Sequence, residues 1–349
     1  MTDGHDFRPT ARRGVRLTTA ELVRWSGEAG GLPRVVEPRA EGVNLAAWAE
    51  GQRALVESEL ARHGALLFRG FGVDTVEKFE RFIEATSGGA LAYHERSSPR
   101  SRVGGNIYTS TDYPPEQAIF LHCEQSYNLV FPAKIYFLCL TPAASGGETP
   151  VADTRRVYAS LRPDVRRRFA EQGYVYARNF GDGFGLPWQT AFQTESRGEV
   201  EDYCRRHRIE FEWKPGGRLR TRQRRPAVAR HPATGEPVWF NHAAFFHVST
   251  LEAAVRERLL AELGEEDLPN NTFYGDGSPI EPEVAEHLRQ AYLREKTSFP
   301  WQRFDILMLD NMLVAHGREP FVGPRLVTAG MADQRHWDDV RLPATGPDH

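Results

Sequence analysis

From about Arg102 onward the chain runs in short apolar stretches rich in Ile, Val, Phe and Tyr, each closed by Pro, Gly, Asn or Asp. "NIYTSTDYPP", "AIFLHCEQSY" and "KIYFLCLTPAASGGETPV" are three of them. Strands this short, punctuated this way, pack as an all-β sandwich or barrel. The first hundred residues read differently. "NLAAWAEGQRALVESELARHG" puts Leu45, Trp48, Leu55 and Leu60 on one helical face, with a stop at Gly64. "LTTAELVRW" reads as a short capped helix, "ALLFRGFG" as a buried strand and turn, and "DTVEKFERFIEATSGG" as a helix with an Asp cap. Helices interrupt the β part at "DTRRVYASLRPDVRRRFAEQG", "EVEDYCRRHRI" and "EPEVAEHLRQAYLREKT"; two strands, "FDILMLD" and "RLVTAGMAD", close it. No repeat or linker divides the chain. The expectation is one domain over 1–349, with a flexible stretch 1–18, a helical N-terminal portion 19–101 and a β core 102–335.

Composition narrows the function. A chain of 349 residues suits one elaborated barrel or sandwich. A net charge of −3 argues against a nucleic-acid binder working by bulk electrostatics. Three cysteines without a CxxC pair speak against a disulfide framework or a thiolate zinc site and fit a reducing cytosol. The N-terminus has no apolar signal region, and no run of about 18 apolar residues occurs. A cytoplasmic protein acting on a small molecule, without membrane or nucleic acid, is expected.

"FLHCEQSYNL" holds His122 and Glu124 two positions apart in an apolar run. On a strand, such residues project from one face about 6–7 Å apart, close enough to share a metal. A polar strand face with a salt link explains the pair as well. "DILMLDNMLVAHGREPF" adds His316 after an apolar strand and a turn. Two His and one carboxylate leave positions open on Fe(II), as in non-haem oxygenases. Arg325, at the start of the next strand, suits a carboxylate held bidentately. Thr149, after a Gly-Gly turn, can add a hydrogen bond. Iron, Arg and Thr make a site for a dicarboxylate such as 2-oxoglutarate. Zinc in the same triad would suit a metal-dependent hydrolase, and a non-catalytic cupin-like binding protein is a further reading. His336 and Asp338 repeat the spacing beyond the last strand and read as coincidence.

The segments "GGNIYTSTDYPPEQAIFLHCEQSY", "FPAKIYFLCLTPAASGGETPVADTRRVY", "GEPVWFNHAAFFH", "YGDGSPIEPE" and "FPWQRFDILMLDNMLVAHGREPFVGPRLVTAGMAD" agree in order and spacing with one family. The chain resembles the taurine dioxygenase/clavaminate-synthase-like (TauD/TfdA) superfamily of Fe(II)/2-oxoglutarate dioxygenases, and within it the SyrP-like branch. The resemblance implies a double-stranded β-helix, a jelly-roll with helices packed outside. It implies that His122, Glu124 and His316 bind Fe(II), and that Thr149 and Arg325 hold the distal carboxylate of 2-oxoglutarate. Relatives often carry Arg-Arg at the last position; this chain has Arg325–Leu326. Halogenating relatives lack the carboxylate ligand, so Glu124 favours oxygen insertion. With O2, the implied reaction releases succinate and CO2 and hydroxylates an unactivated C–H bond; desaturation, epoxidation or ring formation starts from the same oxidant. The implied substrate is an amino acid or a related natural-product precursor, free or carrier-bound.

Several residues around this core have two readings. Asn241 and His242, in a segment that resembles the family's active-site mouth, either contact substrate or satisfy loop backbone. His247 reads as structural. Asp310 either orients a ligand or holds a turn. "GDGFGLPWQTAFQT" lacks the ending of a phosphate loop and reads as a substrate loop or a plain connector. The Arg run "RLRTRQRRPAVARH", with Arg220 and Arg222, is either solvated charge or a face for an anionic substrate or an acidic carrier protein's phosphopantetheine arm.

Overall fold

Four consecutive apolar residues, Ile306 to Leu309, show why the sheets stack as they do. Successive side chains alternate across a strand. Leu307 and Leu309 face the core between two sheets, while Ile306 and Met308 face a second core on the other side. The strand Val130–Thr141 alternates likewise: Ile135, Phe137 and Cys139 face the first core, and Tyr136 and Leu138 the second. A strand covered on both faces reads as a continuous apolar run.

The computed structural model describes residues 18–26, 31–92, 101–110, 113–181 and 185–342. Of the stretch 1–18 expected to be flexible, all but Thr18 lies outside the described residues. The large sheet orders its eight strands as Val23–Ser26, Arg34–Pro38, Ala65–Phe68, Ile306–Asp310, Val130–Thr141, Leu326–His336, Ile107–Thr109 and Arg102–Gly104. A three-stranded sheet, Ile119–His122, Val314–Arg318 and Val151–Asp153, lies across the first core. A four-stranded sheet, ordered Glu210–Trp213, Leu219–Arg225, Tyr174–Phe180 and Asn270–Tyr274, extends the same core. The architecture is the expected jelly-roll, a double-stranded β-helix with helices packed outside.

The N-terminal portion is less helical than its sequence suggests, since three of its segments are strands of the large sheet. "LTTAELVRW" forms only a short turn, Thr19–Leu22, before the strand Val23–Ser26. Thr18 caps that turn, its backbone N–H and its hydroxyl donating to the Glu21 carboxylate at 2.8 and 2.7 Å. The long amphipathic run breaks at Gln52 into Leu45–Gly51 and Arg53–His63, and Val56 rather than Leu55 is buried beside Leu60. The next helix, Val76–Ser87, is capped by Thr75, whose hydroxyl accepts from the Lys78 N–H; Asp74 instead pairs with the Lys78 ammonium.

Candidate metal centre and its two cavities

His122 ends its strand, and its direct partner across the antiparallel pair is His316. The two ring centroids are 4.6 Å apart. A single ladder pair therefore assembles both imidazoles. His122 Nδ1 lies 2.9 Å from the Phe120 carbonyl oxygen, which it reaches as a donor, leaving Nε2 with its lone pair for a metal. Gly317 keeps this pair close. A Cβ there would sit 2.5 Å from the Ile119 carbonyl oxygen, and the Gly317 N–H donates to the Pro150 carbonyl at 3.0 Å.

Glu124 reaches the site by a route other than strand alternation. The strand stops at His122, and Glu124 opens a turn that continues through Gln125 at φ 54°. Asn311, wholly buried, fixes that turn. Its Oδ1 accepts from the Glu124 N–H at 2.7 Å, and its Nδ2 donates to the carbonyls of Glu124 at 2.8 Å and Pro132 at 2.7 Å. The result is that ligand atoms of His122, Glu124 and His316 lie within 4.8 Å of one another, the one such group found among the described residues. This donor set fits Fe(II).

Two cavities meet at His122 and Ile119. The smaller, about 30 Å³, is lined by Thr149 and Arg325 together with Ser110, Phe137, His316 and Arg318. The Arg325 Nε donates to the Gly147 carbonyl at 2.9 Å and Nη1 to Ser110 Oγ at 3.3 Å. Leu326, the residue after it, is 38% exposed and does not line the cavity. Burial, and then the charge of Arg318, pull the Arg325 pKa down to about 10, a strain that a bound anion relieves. Thr149 Oγ1 accepts from Trp301 Nε1 at 3.1 Å, which leaves its hydroxyl proton to donate elsewhere. Arg318 ties down the neighbouring segment, donating to the carbonyls of Tyr113 at 3.0 Å, Pro114 at 2.6 Å and Gln117 at 2.8 Å.

The larger cavity, about 450 Å³, is lined by His122 and Glu124 on one side and by Phe120, Phe245, Phe246 and His242 around them. His242 stacks on Phe246 with centroids 4.9 Å apart, and its Nδ1 lies 2.6 Å from Ser126 Oγ. Burial, and then His122, hold its pKa well below the usual imidazole range. Gly185 and Leu186 of the Gly-rich segment also line this cavity; residues 182–184 of that segment lie outside the described residues.

Other candidate residues lie elsewhere. Asn241 is buried and spends both ends of its amide on backbone, donating to the Ala227 carbonyl at 2.7 Å and accepting from the Ala243 N–H at 2.9 Å. Arg220 and Arg222 do not line the cavity. Arg220 is held by Asp267 at 2.7 Å and by Asn179 Oδ1 at 3.0 Å; Arg222 sits opposite Glu210 in the adjoining strand. His247 Nδ1 accepts from the Ser249 N–H at 3.2 Å and caps a short turn. Asp310 holds its own turn through the N–H groups of Met312 and Leu313, and its other oxygen pairs with His231 Nε2 at 2.9 Å. His336 and Asp338 bond to each other outside any metal group. Sequence reasoning missed Asn311, Trp301 and Arg318 as site-builders. The "DNM" before His316 signalled a turn, but nothing in it pointed to Glu124.

Comparison with known proteins identifies the family. The family model described as "Taurine catabolism dioxygenase TauD, TfdA family" matches residues 30–331. A dapdiamide synthesis protein, DdaC, of Enterobacter agglomerans is 42% identical over 278 residues, covering 80% of this chain and 84% of its own. A clavaminate synthase-like protein of Arabidopsis thaliana is 29% identical over 322 residues, covering 86% and 93%. Among solved structures, PvcB of Pseudomonas aeruginosa superimposes with a TM-score of 0.54 at 15% identity, covering 95% of this chain and 97% of that one. A second PvcB structure, described as an Fe, alpha-ketoglutarate dependent oxygenase from an isonitrile synthetic pathway, gives 0.53 at 15% identity, covering 92% and 95%.

Proposed function

Because the chain belongs to the TauD, TfdA dioxygenase family, and so is an Fe(II)/2-oxoglutarate-dependent oxygenase that uses O2, we propose that His122, Glu124 and His316 are its iron ligands. That membership removes the hydrolase and binding-protein readings of the triad. Bound Fe(II) with 2-oxoglutarate and O2 supplies an oxidant able to break an unactivated C–H bond, with succinate and CO2 released. The protein's own part is to hold, orient and shield. Arg325 and Thr149 hold the far carboxylate of 2-oxoglutarate by charge and by the Thr149 hydroxyl proton. Ser110, which accepts from Arg325 Nη1 at 3.3 Å, lines the same small cavity. Substrate occupies the larger cavity, where Phe120, Phe245 and Phe246 exclude water and neutral His242 offers one polar contact.

The reaction we assign is hydroxylation of a small natural-product precursor, an amino acid or a compound derived from one, free or carried as an aminoacyl group. The similarity to a protein named for dapdiamide synthesis supports that substrate class. We place the protein in the cytoplasm as a single domain. In support, its three cysteines are buried with no disulfide, and among the described residues no helix is long and apolar enough to cross a membrane. The observation that carries the site assignment is the convergence of the triad at the junction of the two cavities. The test is succinate formation with Fe(II), ascorbate, 2-oxoglutarate and O2. Wild type forms succinate, and His122→Ala forms none. Succinate from the variant at the wild-type rate, or a visible chelate band that survives the substitution under anaerobic conditions, overturns the assignment.

A further inference from the structure

The strand Tyr174–Phe180 lines the larger cavity with its last three residues, and its residues divide by face. Tyr174, Tyr176, Arg178 and Phe180 alternate onto one side. Tyr174 and Tyr176 on that side meet the loop that carries His242. The His242 N–H donates to the Tyr174 hydroxyl at 3.3 Å, and the Tyr176 ring stacks on Phe246 with centroids 4.2 Å apart. Arg178 continues this row. It is 5% exposed, lines the cavity, and sets its guanidinium carbon 4.6 Å from the centre of the Phe180 ring.

Across the strand pair, Arg178 stands opposite Asn270, which also lines the cavity. The Tyr176 hydroxyl donates to Asn270 Oδ1 at 2.7 Å, which turns the Asn270 amide NH2 outward as a second donor. Among the described lining residues, Arg178 is the one guanidinium and Glu124 the one carboxylate, and Glu124 is committed to the metal. A guanidinium has five N–H donors in a planar fork. It can keep a neighbour within the fold and still present an edge to a ligand. Desolvation strengthens its pull on an anion.

We propose that Arg178 and Asn270 form an oxyanion subsite of the substrate cavity. It takes an anionic oxygen group of the substrate and sets which C–H bond faces the metal triad. The inference rests on the oxygenase reading and deepens it: the substrate is an anion. Two sources offer this chemistry, a carboxylate on a free substrate and the phosphate of a carrier's phosphopantetheine arm. Arg220 and Arg222, the residues singled out from the Arg run, take no part.

The test uses full-length protein loaded with Mn(II) and 2-oxoglutarate, which binds without turnover. Calorimetry compares N-acetyl-alanine, N-acetyl-leucine and N-acetyl-phenylalanine with their primary amides, and S-acetyl phosphopantetheine with S-acetyl pantetheine. At least one charged probe binds about tenfold or more tightly than its neutral partner, since a bidentate charge-assisted contact is lost in the neutral one. Preference within the acid–amide pairs assigns the carboxylate, and preference within the pantetheine pair assigns the phosphate. Arg178→Gln reduces the ratio to within about twofold, and Arg178→Lys recovers part of it, keeping the charge without the fork. Asn270→Leu, at an exposed position, lowers the ratio about threefold, as loss of one neutral donor predicts. Charged and neutral probes binding alike or not at all, or a ratio undiminished in Arg178→Gln and Asn270→Leu, overturns the subsite. Failure of the oxygenase reading shows separately: the wild-type Fe(II) protein then gives no visible band with 2-oxoglutarate alone.

Discussion

Asn311 is the residue through which the fold places the proposed metal ligand Glu124, and replacing it by Ala separates that role from simple stability. Its amide makes three hydrogen bonds, two to the backbone of Glu124 and one to Pro132, at a wholly buried position. Each contributes about 1 kcal/mol net, and stranding the buried Glu124 N–H and two carbonyls adds a further penalty, giving about 3–5 kcal/mol in all. At roughly 2 °C per kcal/mol for a chain near this size, Tm falls by several degrees. The second effect is specific: the turn that aims Glu124 loosens, and affinity for Mn(II) falls about 10- to 100-fold, as for other losses of a ligand's supporting hydrogen bonds. Urea unfolding of the metal-free protein measures the first effect and calorimetric Mn(II) titration the second. Asn311→Asp is worse, because a carboxylate oxygen then faces the carbonyls of Glu124 and Pro132. Metal affinity within twofold of wild type in a destabilised Asn311→Ala protein would refute the positioning argument and leave Asn311 as a core hydrogen-bonder only.

Two further outcomes follow from the same geometry. Gly317→Ala forces a methyl to within 2.5 Å of the Ile119 carbonyl oxygen, so the strands carrying His316 and His122 must part; a loss of about 1–3 kcal/mol and weaker metal binding are expected, read by unfolding and titration. Burial, and then Arg256, press the His247 pKa down to about 4, while the unfolded chain takes its proton near 6.5. The unfolded state therefore binds more protons between these values. The contribution, on the order of 3 kcal/mol, is complete above pH 6.5 and drains away as pH falls toward 4. His247→Asn, which keeps an acceptor for the Ser249 N–H, flattens that part of the stability–pH curve in urea titrations.

How much of this was legible beforehand depends on whether the determining contact is local. The strands at "ILML" and "ALLF" and the Gly64 stop are local, and the structure carries them as read. The break at Gln52 and the conversion of "LVRWS" to an edge strand were not legible. In both, pairing with or packing against the large sheet outweighs helix propensity. The triad was named from its spacing, but the physical reason offered for it held only in part. His122 lies on the strand as expected, whereas Glu124 converges through a turn held by a residue from a distant segment. Arg178 lay unremarked in "YVYARNF" because its burial and its cavity exist only once that strand pairs with Asn270–Tyr274.

The sequence by itself determined the class of architecture and the residue types of the proposed metal triad, and its resemblance to a family gave the reaction class. These depend on periodicity and on chemical identity, which are carried along the chain. Only the tertiary structure decided that Arg318 joins Arg325 at the small cavity, which side chain aims Glu124, and which cation lines the larger one. Those are outcomes of cross-strand register and buried hydrogen bonding between segments far apart in sequence, set when the sheets close on their core.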